Sequence, residues 1–255
     1  MRTVASAQNP SVRALRALRQ DKGRRKAGCF LAEGPKLVAE ALRDAEVVTL
    51  LVDEERATQY AGLIQAARDA VIAPKHVVAA VGEARTPQGI VASVRFPPPL
   101  DLDAARGAVL VLDGVQDPGN VGGMLRTAEA AGFTAALLST TCADAFAPKS
   151  VRGTMGSIFR LPLWRGALPE ALAGLQRRGF LLISAETGGL PFSMAKAGLR
   201  PPAALVIGSE GNGVSDAVSR LTDVRVALPM RGRAESLNAA VAAGILMYGL
   251  TETAL

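Results

Sequence analysis

The run Leu205-Val-Ile-Gly-Ser-Glu-Gly-Asn-Gly213 and, a little later, Val226-Ala-Leu-Pro-Met-Arg-Gly-Arg-Ala-Glu-Ser-Leu-Asn238 decide how the second half of the chain folds. Each opens as a short apolar strand and breaks at its carboxyl end. The first breaks into a glycine-rich turn holding one carboxylate, the second at Leu228-Pro229-Met230 before a small-residue helix that the pattern begins near Ser236. Two loops at strand ends read as one site. Glycine lets main-chain N–H and C=O groups approach a ligand and leaves them unpaired within the turn, which is the physics of a cofactor cradle.

Working outward, Ala108-Val-Leu-Val-Leu112 is apolar without alternation, as a strand covered on both faces of a parallel sheet should be. It ends at Asp113-Gly-Val-Gln-Asp-Pro-Gly-Asn120, where Asn120 is placed to cap a helix running through Met124, Leu125 and Ala128, with Arg126 projecting from its second turn. Further strands are expected at residues 135–138, 180–184, 205–207 and 224–227, with helices at 145–152, 168–178 and 214–221. Gly188-Gly-Leu-Pro191 reads as a surface turn. Strand and helix alternate, so the sequence predicts a doubly wound parallel sheet with ligand loops at the strand carboxyl ends.

The first 96 residues have their own rhythm. Val12, Leu15 and Leu18 recur at helical spacing beside a parallel stripe of Arg13, Arg16 and Arg19, and Lys22, Arg24, Arg25 and Lys26 follow in what reads as a glycine-bounded loop. Short strands and helices then alternate to Val94, giving a small α/β sandwich. Pro97-Pro98-Pro99 opens a stiff proline-rich linker over 97–106, and 107–255 forms the second domain. Residues 1–96 carry 15 Lys/Arg against 10 Asp/Glu, whereas the remainder is nearly balanced. That surplus fits either a polyanion-binding face or a solvated helix surface.

Composition excludes several classes. The apolar stretch from Leu237 to Leu250 contains Asn238 and is too short for a bilayer, which needs about 20 apolar residues. No apolar leader follows Arg2, so a cytoplasmic protein is expected. Cys29, Cys142 and His76 are the only cysteines and histidine, too few for a Cys/His zinc site within one chain, and no metal is expected. A Walker phosphate loop is absent.

Three motifs agree in residue type, order and spacing: Asn120…Arg126, Gly208-Ser-Glu-Gly-Asn-Gly213, and Leu228-Pro-Met-x-Gly232-x-x-x-Ser236-Leu-Asn238. Together they resemble the signature of the SpoU (TrmH) family of RNA ribose 2′-O-methyltransferases in the SPOUT superfamily, over roughly 108–250. The first ninety-odd residues resemble, more loosely, the RNA-binding domain that often precedes that catalytic domain.

The resemblance implies a deep trefoil knot in the C-terminal domain, S-adenosylmethionine as cofactor, a homodimer, and RNA as substrate, ribosomal RNA ahead of transfer RNA. Carried over by residue, Gly208, Glu210 and Gly211 belong to the middle cofactor loop, Leu228 and Met230 surround the adenine, and Ser236, Leu237 and Asn238 close the site. Catalysis is assigned to Arg126, Asn120, Glu210 and Ser236. RNA binding is assigned to Arg13, Arg16, Arg19, Arg24, Arg25 and Lys26. Ala240 stands where the family usually has serine, which keeps open a protein of this fold that binds RNA without turnover. A dinucleotide oxidoreductase is the other alternative, but it needs an acidic residue after the second strand, where this chain has Leu138-Ser-Thr-Thr-Cys142.

Overall fold

The computed structural model describes residues 1–251. Its contacts divide the described residues into two compact units, residues 1–97 with 144–160, and residues 98–143 with 161–251.

The first unit contains β1 (Arg2–Thr3), α1 (Pro10–Ala17), α2 (Asp21–Ala27), β2 (Cys29–Glu33), α3 (Pro35–Asp44), β3 (Val47–Asp53), α4 (Ala61–Ala66), β4 (Ala70–Ala73), α5 (Lys75–Ala79) and β5 (Ile90–Arg95). The sheet order is β1-β4-β3-β5-β2, with β2 and β3 antiparallel to β5 and the other pairs parallel. Val12, Leu15 and Leu18 are buried against Leu31, Leu51, Val71 and Val91 of the sheet, as the helical spacing requires.

The expected basic loop at Lys22–Lys26 is instead helical, and the physical reason lies in Arg24. Its side chain is only 4% exposed, and its guanidinium donates to the carbonyls of Leu18 and Arg19 and to Asp144 Oδ2 at 2.5 Å. Arg24 is therefore a buried strut and not an RNA-facing residue. Arg13 and Arg16 are exposed and, among the described residues, unpartnered, whereas Arg19 pairs with Glu83 and Arg25 with Asp21. Lys26 is also exposed.

Asp144 belongs to the segment 144–160, which contributes to the first unit although it lies far along the chain. Phe146 and Phe159 place their rings 5.0 and 6.0 Å from that of Phe30, and Arg160 pairs with Glu40 and Asp44. The two guanidinium groups of Arg43 and Arg160 hold the Asp44 carboxyl down at about 2. Asp144→Ala is expected to destabilise this unit by about 2–3 kcal/mol, because it strands part of a buried guanidinium. Urea denaturation followed by circular dichroism measures that loss.

The second unit contains β6 (Ala108–Asp113), α6 (Pro118–Ala130), β7 (Ala135–Ser139), then, after α7 (Pro148–Thr154) of the first unit, β8 (Leu163–Gly166), α8 (Leu168–Arg177), β9 (Leu181–Pro191), α9 (Phe192–Ala195), β10 (Ala203–Gly208), α10 (Asp216–Ser219), β11 (Val224–Ala227) and α11 (Ala239–Thr251). All six strands are parallel in the order β11-β9-β10-β6-β7-β8. Val109, Val111, Leu137, Leu182, Ala204 and Val206 form one covered face with α8 and α10, and Leu110, Leu112 and Leu205 are buried on the other, so both faces are covered and the apolar runs do not alternate.

Residues beyond Pro98 do not act as a free spacer. Leu100 and Leu102 are partly buried on this core, and Arg178 donates to the carbonyls of Leu102 and Ala105. Among the described residues no helix is long and apolar enough to cross a membrane.

Candidate active site

The carboxyl ends of β6, β10 and β11 carry three loops that the hydrogen bonds join. At β6, Asp117 and not Asn120 caps α6: its Oδ1 accepts from the backbone N–H of Gly119 at 2.6 Å and of Asn120 at 3.0 Å, with Pro118 at the first helical position. Asn120 thus sits in the first turn with its amide free to leave the helix. Asn120 Nδ2 donates to Glu210 Oε1 at 2.6 Å, and Asn120 Oδ1 accepts from Asn238 Nδ2 at 3.2 Å. The Asn238 side chain in turn caps α11, accepting from the N–H groups of Ala240 and Val241. Hence α11 begins at Ala239, not near Ser236.

The loop after β10 is closed by a pair of backbone hydrogen bonds between Ser209 and Gly213, and Ser215 N–H donates to Asp113 Oδ2 at the end of β6. Gly213 takes a positive φ of 68° at this turn. A Cβ at Gly208 would overlap the backbone of Gly213 and Val214, so the sharp return of the loop depends on glycine there.

Glu210 is exposed at the tip of this turn. Partial burial pushes its pKa up, but hydrogen bonds from the Asn120 side chain and from the backbone N–H groups of Glu210, Gln116 and Asp117 outweigh that and hold it below the ordinary value. It is a carboxylate at neutral pH, suited to orienting Asn120 and poorly suited to taking a proton.

The loops after β10 and β11, residues 185–188 of β9 and the start of α11 surround a cavity of ≈ 970 Å³. Of the cofactor residues read from the sequence, Gly208, Glu210, Gly211, Leu228, Met230, Ser236, Leu237 and Asn238 all line it. Its charged lining groups are three carboxylates, Glu186, Glu210 and Glu235, with no lysine or arginine among the described residues. Such a wall fits a ligand bearing a sulfonium and an ammonium, and it offers no side-chain cation to a pyrophosphate.

Arg126 and Asn120 are not brought together in the same way. Arg126 lies in the third turn of α6, about 9 Å along the axis from Asn120 and on a different face. It is exposed, forms no hydrogen bond or ion pair among the described residues, and does not line the cavity.

Ala240 faces away from the cofactor space. The cavity is lined by Ala239, Ala242 and Leu246 of α11, whereas the Ala240 methyl is 3.8 Å from where a Cβ on Gly123 of α6 would stand. A serine hydroxyl missing at this position is missing from the α6–α11 contact.

The sequence reading missed the contribution of β9. Arg225 of β11 pairs with Ser184, yet the next residue, Val226, pairs with Leu190. Residues 185–189 therefore bulge out of the ladder with β11, although Ala185 still pairs with Ile207 of β10, and Ala185, Glu186, Thr187 and Gly188 form a wall of the cavity. The stretch Gly188–Pro191, read as a surface turn, is the return of this bulge into the strand. Among the described residues no group of His, Cys, Asp and Glu could hold a metal ion.

Comparison with known proteins identifies the family. Residues 107–248 match the SpoU rRNA methylase family, and residues 9–92 match the MRM3-like substrate binding domain. The chain is 39% identical over 252 residues to a 23S rRNA (guanosine(2553)-2′-O)-methyltransferase, RlmP, of Bacillus subtilis, covering 98% of this chain and 99% of that protein. Among solved structures it resembles an AdoMet-bound rRNA methyltransferase from Sinorhizobium meliloti, with a TM-score of 0.87 at 30% identity, covering 99% of this chain and 98% of that one. It also resembles the SpoU methyltransferase AviRb from Streptomyces viridochromogenes in complex with AdoMet, with a TM-score of 0.85 at 30% identity over 97% and 98% of the two chains.

Proposed function

The chain belongs to the SpoU rRNA methylase family, and from that premise we propose that it methylates a ribose 2′-hydroxyl of ribosomal RNA, using S-adenosylmethionine, in the cytoplasm. The observation that carries this reading is the cavity at the ends of β9, β10 and β11, whose charged lining is wholly acidic and whose loops hold all eight expected cofactor residues. The acidic lining weighs against the dinucleotide alternative, and the family to which the chain belongs favours a protein that turns over against one that only binds RNA. The relative that methylates 23S rRNA spans almost the whole of this chain, which favours ribosomal over transfer RNA.

When bound, S-adenosylmethionine supplies an electrophilic methyl group on a positively charged sulfur. The residues around it have separable tasks. Gly208 and Gly211 shape the middle loop, and Leu228, Met230 and Leu237 supply apolar and main-chain contacts. Glu210 holds the Asn120 amide, whose oxygen holds Asn238, so the three loops keep one arrangement while a ribose is presented. Ser236, exposed at the rim, orients that ribose. Arg126 acts from the exposed face of α6, where its guanidinium, always charged, fixes a phosphate of the substrate and stabilises the alkoxide that develops on the 2′-oxygen. The first unit contributes Arg13, Arg16, Arg25 and Lys26, with Arg19 partly engaged by Glu83, as its RNA-facing cations. The deep trefoil knot of the superfamily belongs to this reading, as does a homodimer.

Support for the homodimer comes from α11. Val241, Ile245 and Tyr248 lie on one helical stripe and are about half exposed, while Ala243, Leu246 and Met247 are buried on the other side. The wild-type protein is expected at twice the chain mass in analytical ultracentrifugation, and Ile245→Asp at the mass of one chain. The functional reading is tested by mapping ribose methylation across rRNA and tRNA from strains with and without the gene. It expects one ribose position in rRNA to lose its methyl group, whereas an unchanged rRNA map would refute it.

A further inference from the structure

Glu186 is held in the cavity wall by more than chance proximity. The bulge of β9 carries it out of the sheet ladder, and its Oε1 accepts from Ser184 Oγ at 2.5 Å and from Ser219 Oγ at 3.0 Å. Ser184 is fully buried and Ser219 nearly so. Oε2 has only the longer of the two contacts to Ser219, at 3.1 Å, and Arg225 Nε stands off at 3.8 Å from Oε1. A carboxylate has about four acceptor positions, and a Ser219 hydroxyl with one proton serves one oxygen at a time. Fixed from behind with acceptor capacity left over, on a residue that lines the cavity, this group is a preorganised partner for ligand hydroxyls or amines.

The sheet order selects between them. β9 lies between β11, whose loop holds Leu228 and Met230, and β10, whose loop holds Glu210. In the proposed arrangement the first loop takes the adenine and the second faces the reacting end. The bulge between them meets the middle of the ligand, which is the ribose. A carboxylate carried on such a bulge is well matched to a vicinal diol, accepting one hydrogen bond from each hydroxyl.

We propose that Glu186 is a cofactor-binding residue that accepts hydrogen bonds from the ribose hydroxyls of S-adenosylmethionine. The assignment rests on the cofactor reading given above. Ser184 and Ser219 are positioning residues for the carboxylate.

Calorimetric titration of the full-length protein separates the possibilities. The probes are S-adenosylmethionine, 5′-methylthioadenosine, which keeps the ribose but lacks the amino-acid end, and S-adenosylhomocysteine with its 2′-deoxy analogue. Glu186→Gln is expected to weaken 5′-methylthioadenosine by about tenfold, as for loss of a charge-assisted hydrogen bond, and S-adenosylmethionine by at least as much, because its sulfonium also loses one carboxylate of the acidic wall. The penalty for removing the 2′-hydroxyl from S-adenosylhomocysteine should shrink in the variant. The ligand-free melting temperature should stay close to wild type, since glutamine can still accept from Ser184. Ser219→Ala, which leaves the carboxylate in place but loosens it, should give a smaller loss of the same kind.

Unchanged affinity in Glu186→Gln would overturn the assignment and leave Glu186 a strut between β9 and α10. Weakened S-adenosylmethionine with unaffected 5′-methylthioadenosine would overturn it in favour of a contact to the amino-acid end. If the variant unfolds, an unaltered affinity in Ser219→Ala together with equal wild-type affinity for the deoxy and ribo probes overturns it as well. Wild-type protein that binds none of the probes would defeat the cofactor reading itself.

Discussion

Arg126→Ala is expected to lower methyl transfer by about 10²–10³-fold, the scale of losing one preorganised group that stabilises developing charge, while the affinity for S-adenosylmethionine stays the same. The split follows from position. Arg126 is outside the cavity lined by the β9, β10 and β11 loops, so cofactor binding is not expected to depend on it, and its guanidinium is exposed on α6 with no partner among the described residues. Arg126→Lys should recover little, because an ammonium cannot present the forked pair of donors that a phosphate takes. Single-turnover assays with saturating RNA, paired with calorimetry, measure both quantities. Near-normal turnover in Arg126→Ala would remove the residue from the mechanism.

Gly208→Ala is expected to abolish cofactor binding and to lower the stability of the second unit by about 1–3 kcal/mol or more, the range for forcing extra carbon into a filled space. The added methyl would collide with main-chain atoms of Gly213 and Val214, which have no rotamer with which to escape. Relief would open the backbone pair between Ser209 and Gly213 and move Glu210 away from Asn120. By contrast, Gly211→Ala meets nothing within 4 Å and should be tolerated by the fold. Thermal melts of the two variants, with and without S-adenosylmethionine, give the comparison.

The parallel sheet was legible because its strands are buried on both faces, and runs such as Ala108–Leu112 and Leu205–Ile207 have no polar alternation to suggest anything else. The cavity loops were legible through glycine, proline and one carboxylate at strand ends. What sequence reading missed depends on partners distant in the chain or on competing local signals. Arg24 looks like its basic neighbours, and its bonds to the carbonyls of Leu18 and Arg19 and to Asp144, 120 residues away, make it a buried strut.

The helix cap was assigned to Asn120 where Asp117 performs it. Pro118, suited to a first helical position, was the signal that could have corrected this. Glu186 was hidden because the glycines and proline that follow it have the composition of a surface turn, whereas the pairing of Val226 with Leu190 returns them to the sheet. Short β8, Leu163–Gly166, has too few residues to show a pattern, and it is defined by its ladder with β7. The segment 144–160 reads as one more helix between strands, and its place in the first unit rests on aromatic and ionic contacts that no local pattern encodes.

The most direct measurement is transfer itself. Purified protein is incubated with methyl-labelled S-adenosylmethionine and ribosomal RNA from a strain lacking the gene, and the RNA is digested to nucleosides. The label is expected in a single 2′-O-methyl nucleoside, absent when Arg126→Ala replaces the wild type. Label on a base, label on transfer RNA but not ribosomal RNA, or no label on RNA at all would contradict the account.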